Sequence, residues 1–223
     1  MQNYCDKSAC AIPKRVRLHP GSKIYPNGYG IRLGVILILH QEKQTDMTSE
    51  EKQLIKECPV ILSGTDAFIS YIKEELKQIG FEKILDADAD SCSISANAKG
   101  IVIEYTADSS SQSRVCCDIP VIFPFDFIEG AGAIVLFPGD ERSWLDKPNQ
   151  RVLAADYMSG YCAFWNVEGC EWLYDSLHLI KDNKASEAAL RTAAYICARI
   201  VANIAVGRGV KRFPRFYLCR SLE

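Results

Sequence analysis

The sequence predicts an α/β protein, and three observations carry that expectation. From Gln53 to Asp90 the chain reads as a strand, a helix and a second strand in succession. Beyond it, Ile101 to Tyr105, Ile119 to Phe123 and Glu129 to Gly139 contain short apolar runs suited to further strands. Near the end, Ala185 to Val206 carries apolar residues at helical spacing and leads into a closing strand, Phe213 to Leu218. Strands alternating with helices are the pattern of a parallel sheet covered by helices.

Length and composition set the bounds. With 223 residues and 48% apolar content, the chain can bury a sizeable core, which predicts one domain, residues 53–223, with an extension, residues 1–52. The net charge of −2, with both signs dispersed, gives no footprint for nucleic acid or an anionic membrane. Continuous apolar runs such as Val35 to Leu39 are far too short to span a bilayer. The first ten residues, MQNYCDKSAC, lack the apolar stretch of a secretory signal. None of the ten cysteines forms a Cys-x-x-Cys pair, so no structural zinc site is expected. Reduced thiols in the cytoplasm are the expectation, and no metal is assigned.

In the extension, Lys14 to Arg17 is a small basic cluster that reads as a solvated loop. Tyr25 to Gly30 is a turn signal, because Asn27-Gly28 tolerates positive φ. It precedes a strand candidate, Ile31 to Leu39, so Lys23 to His40 reads as a hairpin or added strand pair, with His40 at the strand end. Thr45 to Ser49 is polar and linker-like, and Ser49, Lys52 and Gln53 open a short helix.

The strand–helix–strand unit follows. Pro59 to Ser63 is rich in β-branched residues, as befits a strand buried on both faces. Gly64 breaks it, and Thr65 or Asp66 can cap the next helix. Phe68, Ile69, Ile72, Leu76 and Ile79 recur at helical spacing, and Gly80 stands where a left-handed stop belongs. Lys83 to Leu85 forms the second strand and runs into Asp86-Ala87-Asp88. This unit places the turn at Gly64 beside the acids that end the second strand, which is the geometry of a nucleotide site.

These residues resemble the opening of the ThiF/MoeB/HesA family, the adenylating fold shared with ubiquitin-activating enzymes. That family has a Gln-x-x-Leu lead-in, an apolar strand, a Gly-rich turn, a helix ending in Gly and a strand ending Asp-x-Asp. Gln53, Gly64, Gly80, Asp86 and Asp88 fall on the pattern. Later, Glu129-Gly130 to Pro138-Gly139 and Ala185 to Leu218 resemble the family's central strand and its closing helix, glycine stop and strand. The resemblance implies a Rossmann-like three-layer α/β/α sheet, shortened by one strand–helix unit, with an N-terminal β extension. It also implies that Gly64, Asp86 and Asp88 are what remains of a nucleotide site.

The departures fall on the phosphate contacts. Where the family has further glycines, this chain has Asp66 and Ile69, so backbone N–H groups cannot approach a phosphate as closely. Asp66 is expected to cap the helix and to occupy the anion position itself. The family's Arg-Gln arch has no counterpart in the short interval before Ile101, whose one cation is Lys99. Its magnesium-holding acid would in register be Ala107, with Asp108 one residue late and Arg114 beyond. Cys162 and Cys170 lie where some relatives carry a reactive cysteine, although no local charge marks either as a low-pKa thiol. His178, on a helix expected over Val167 to Ile180, has no nucleophile motif beside it.

Pro124-Phe125-Asp126 with Glu129 to Ala133 also resembles a ketoacyl synthase segment, but those enzymes need two downstream histidines, one in a His-Gly-Thr context, and here only His178 follows, in Leu177-His178-Leu179. The expected function is therefore a degenerate activating-enzyme-like protein, a non-catalytic binding or partner subunit with no cofactor. Its partner would be a copy of itself, an active relative, a ubiquitin-like protein or a peptide. The aromatic run Tyr161, Phe164, Trp165 and Trp172, with the apolar face of 185–206, favours a dimer. The alternative is an active adenylyltransferase using ATP and magnesium on the C-terminal carboxylate of a ubiquitin-like or sulfur-carrier protein. There Asp86 would hold the ribose, Asp108 the metal, and Arg114 or Arg151 the phosphates. A Rossmann-type redox enzyme is a third reading, and the altered turn argues against it as well.

Overall fold

The structure, a computed structural model, describes residues 47–87, 100–105, 118–140, 149–182 and 186–221. The expected N-terminal hairpin, His40, Lys99, Asp88, Asp108 and Arg114 lie outside the described residues.

Helix α1, Ser49–Glu57, begins with a reciprocal cap. The Glu51 amide donates to Thr48 Oγ1 at 3.1 Å, and the Thr48 amide donates to the Glu51 carboxylate at 2.9 Å, so two otherwise orphaned donors are satisfied at once. The helix runs across residues 52 and 53, the junction at which the sequence divides extension from domain.

The βαβ unit forms where the sequence places it. Strand β1, Val60–Ser63, leads into α2, Asp66–Ile79, and then into β2, Ile84–Asp86, which pairs parallel to β1 with Leu62 opposite Asp86. Phe68, Ile72 and Leu76 are fully buried beneath α2. Gly80, at φ +112°, closes the helix with its amide bonded to the Leu76 and Lys77 carbonyls. The start of α2 corrects an expectation. Thr65 is the N-cap, neither it nor Asp66 makes a side-chain cap bond, and Asp66 is an exposed first-turn residue. Its carboxylate complements the helix dipole without closing the turn.

Strands β3, Ile101–Glu104, β4, Val121–Asp126, β5, Gly130–Leu136, and β6, Tyr217–Arg220, complete a sheet of order β2-β1-β3-β4-β5-β6. The first four strands in that order pair parallel, and β5 and β6 join antiparallel. Helices α3, Gln150–Phe164, α4, Glu171–Lys181, and α5, Glu187–Ala205, lie between β5 and β6 in the chain.

Alternation along the strands separates two apolar layers. Val60, Leu62, Ile101, Ile103, Ile122, Ala131, Ala133 and Val135 meet α1, α2 and α5. Ile61, Val102, Val121, Phe123, Phe125, Ile134 and Leu136 meet α3 and α4. The protein is thus an α/β fold with a mixed six-stranded sheet between two helical layers. The small residues of β5 decide how closely those layers approach. Ala131 and Ala133 face the Ala-rich α5, whose Ala193, Ala194 and Ala198 are buried. On the opposite face a Cβ at Gly130 would stand 2.6 Å from the Trp172 ring, and one at Gly132 would stand 2.9 Å from Met158 Sδ. Both glycines therefore serve close packing.

Among the described residues α5 is the one helix long and apolar enough to cross a membrane. Its apolar face instead packs on the sheet, with Ala189, Ile196, Ile200 and Val201 buried. This corrects the expectation that 185–206 presents apolar surface for a dimer. Trp172 is likewise buried, whereas Phe164, Trp165 and Tyr174 are exposed.

Candidate functional site

Three polar side chains converge where β3 and β4 end. β4 is apolar until its last residue, Asp126, which is 1% exposed. Arg151, in the first turn of α3, donates from Nε to the Asp126 carbonyl at 2.7 Å and from a terminal nitrogen to Asp126 Oδ2 at 2.9 Å. Tyr105, just past β3, donates its hydroxyl to Asp126 Oδ1 at 2.8 Å. Both carboxylate oxygens thus have a partner inside the protein. Glu104 and Gln150, the chain neighbours of Tyr105 and Arg151, are also buried.

A buried carboxylate pays heavily for lost hydration. Burial pushes the Asp126 carboxyl up, and the Arg151 guanidinium and Tyr105 hydroxyl offset that rise only in part. An ion pair of this kind is weak evidence for stability, yet breaking it from one side is costly.

The turn after β1 is closed by one of these residues, Tyr105. A Cβ at Gly64 would stand 2.9 Å from Tyr105 Cβ and 3.0 Å from the Tyr105 carbonyl, so the end of β3 closes directly onto the turn. The Tyr105 ring then stacks on Phe68 of α2, with centroids 4.7 Å apart and planes 20° apart. At the end of β2, Asp86 carries an ion pair with Lys73 of α2 at 2.6 Å, and its side chain is more than half exposed. Gly64 and Asp86 therefore do lie on one edge of the sheet, as the sequence indicated, but each is engaged with a neighbour of its own chain.

The remaining candidates fall elsewhere. Arg151, named as a replacement phosphate cation under the adenylyltransferase reading, is instead turned onto Asp126. Cys162 lies in the last turn of α3, Cys170 precedes α4, and both are buried in the layer that α3 and α4 form. His178 is exposed on α4, with Nδ1 2.9 Å from the Asp175 carbonyl. No cluster of three or more metal-ligating side chains occurs among the described residues. Sequence reading did not assemble the Asp126–Arg151 pair. Its one signal was an acid ending an apolar strand, Phe123-Pro124-Phe125-Asp126, a position where a charge needs a partner.

Comparison of the chain with protein-family models, with curated proteins and with solved structures gives no match. The class that fold and site define is accordingly the broad one, an α/β protein with an internally satisfied polar cluster at the carboxyl edge of its parallel strands.

Proposed function

We propose that the chain is a non-catalytic binding or partner subunit, built on a shortened nucleotide-type sheet of the kind the ThiF/MoeB/HesA family carries. The observation behind this reading is the Tyr105–Asp126–Arg151 network. In open α/β sheets a ligand enters at the carboxyl ends of the strands, where the strand order reverses. Here, among the described residues, the protein's own groups meet one another at that edge. The strand order supports the reading too, since β1 lies inside the sheet with β2 on one side and β3 on the other. Gly64, Asp86 and Asp88 are then the remnant of a nucleotide site, and no cofactor is needed.

ATP with magnesium is expected to bind no more tightly than millimolar. The chain lacks the glycines after Gly64, and Arg151 is committed to a carboxylate. A hydrogen bond to a charged group contributes about 1.5–3 kcal/mol, so lacking two or three of them weakens binding by several decades. Titration calorimetry is the test. A micromolar dissociation constant would overturn this reading in favour of the adenylyltransferase, with ATP and magnesium acting on a ubiquitin-like or peptide carboxylate.

The partner surface proposed centres on the adjacent rings of Phe164 and Trp165, exposed by 73% and 56%. Large aromatic side chains are enriched at interfaces. A homodimer, or a heterodimer with an active relative, would cover them. Sedimentation at micromolar concentration should report a species heavier than 24.9 kDa, or a monomer whose sedimentation changes when the partner is added. A monomer indifferent to every candidate partner would count against the assembly.

A further inference from the structure

Phe164 and Trp165 end a longer strip of rings built along α3. Phe213, Tyr157, Phe216, Tyr161, Trp165 and Phe164 follow one another with successive centroids 5.1–6.3 Å apart. The strip starts at the 213–216 segment, where the Tyr157 hydroxyl donates to the Pro214 carbonyl at 2.6 Å. It ends on the exposed last turn of α3. Gly160 stands between. It is exposed, its φ is negative, and a Cβ added there would meet no atom of the chain within 4 Å. Glycine inside a helix lowers stability relative to alanine, and nothing in this chain's own packing calls for it.

The two ends of the strip carry opposite charge. Residues 206–221 hold Arg208, Lys211, Arg212, Arg215 and Arg220 and no acid. Arg208, Arg212 and Arg220 pair with acids of the same chain. Arg215, next to Pro214, is exposed and makes no ion pair among the described residues. Just past the far end of α3, Glu168 is exposed and likewise makes no ion pair among them. Tyr157 and Trp165, which mark the two ends on the helix, are about 12 Å apart along its axis.

We propose that this strip is the interface of a two-fold homodimer, in which α3 of one copy crosses α3 of a second, antiparallel, at Gly160. The inference rests on the partner-subunit reading above and names the partner for its aromatic surface. A two-fold contact sets one patch against itself. A strip that is positive at one end and negative at the other complements its own copy when the two run antiparallel. Arg215 of each copy then faces Glu168 of the other, and the rings meet between them. Helix axes in contact lie about 8–10 Å apart according to the side chains between them, and glycine at the crossing permits the closest approach. A peptide of one charge sign would answer only one end of the strip and would give Gly160 no purpose.

The experiment is sedimentation equilibrium of the full chain at micromolar concentration, where a species of twice 24.9 kDa is expected. Gly160→Lys sets two like charges on the two-fold axis and should weaken the dimer by about tenfold or more. Lysine is a better helix former than glycine, so circular dichroism should show this variant folded. Arg215→Glu and Glu168→Arg should each weaken self-association as well. An equimolar mixture of those two should dimerise again, because a mixed dimer restores an opposite-charge pair at both 215–168 contacts. A monomeric parent, any of the three variants as dimeric as the parent, or a mixture that stays monomeric would overturn the interface. ATP calorimetry keeps the two ideas apart. A monomer that ignores ATP removes only this dimer, whereas tight ATP binding removes the non-catalytic reading whatever the assembly.

Discussion

Replacing Asp126 by alanine is expected to destabilise the fold by about 3–5 kcal/mol, because it breaks a buried ion pair from one side. Arg151 is 8% exposed, and its Nε and one terminal nitrogen donate to Asp126. The Tyr105 hydroxyl loses its acceptor in the same step. Replacing both ends at once, Asp126→Leu with Arg151→Met, should recover much of the loss, since an apolar pair of similar volume avoids desolvating two charges. Denaturant melts of the three proteins decide the matter. An alanine variant unfolding at the parent's midpoint would mean that Arg151 has found water, and that the edge of the sheet is open.

The same carboxyl gives that experiment a pH dependence of unusual sign. Burial raises its pKa despite Arg151 and Tyr105, so the folded value lies above the unfolded one, about 3.9. The native state then holds the proton more tightly. Stability contributed by this group is fully present below the unfolded value and is lost as pH rises through the folded value. Asp126→Asn does not titrate there, so the parent should lose stability relative to it across that window. If the parent instead gains on the variant with rising pH, the guanidinium outweighs burial and the pair is an ordinary salt bridge.

Which parts of the molecule were legible follows from the range of the forces involved. The βαβ unit was readable because its signals are local: β-branched residues at Val60 and Ile61, apolar spacing from Phe68 to Leu76, and Gly80 as the stop. β5 and α5 were likewise marked by Gly130 and Gly132 and by an alanine-rich face. α3 was not foreseen as a helix. It carries Ser159-Gly160 in its interior and buries polar residues, Gln150, Arg151 and Ser159, so its apolar stripe is interrupted. Missing α3 meant missing the site, because Arg151 reaches Asp126 only when the helix start is placed over the end of β4. Asp66 shows the converse: a good capping residue beside a helix start is no cap when the helix begins one residue earlier than expected.

Tyr105→Ala should cost about 3–5 kcal/mol, the usual loss for emptying a buried aromatic site. The residue is 6% exposed and its ring is stacked on Phe68. Tyr105→Phe keeps the ring and removes one donor from Asp126, so about 1–3 kcal/mol is expected. Gly64→Ala adds a methyl group where there is no room, at a cost of about 1–3 kcal/mol. The double variant, Gly64→Ala with Tyr105→Ala, separates two explanations of the closed turn. The nearest atoms to the new methyl are Tyr105 Cβ at 2.9 Å and the Tyr105 carbonyl oxygen at 3.0 Å, with the ring only at 3.5 Å. Alanine at 105 retains the first two, so trimming the ring should not rescue Gly64→Ala, and the two losses should add. If denaturant melts show the double variant more stable than that sum by over about 1 kcal/mol, a size typical of coupling between touching residues, the ring sets the limit. Additivity would place the seal at the Cβ and carbonyl of residue 105, where trimming the ring alone cannot reopen the turn.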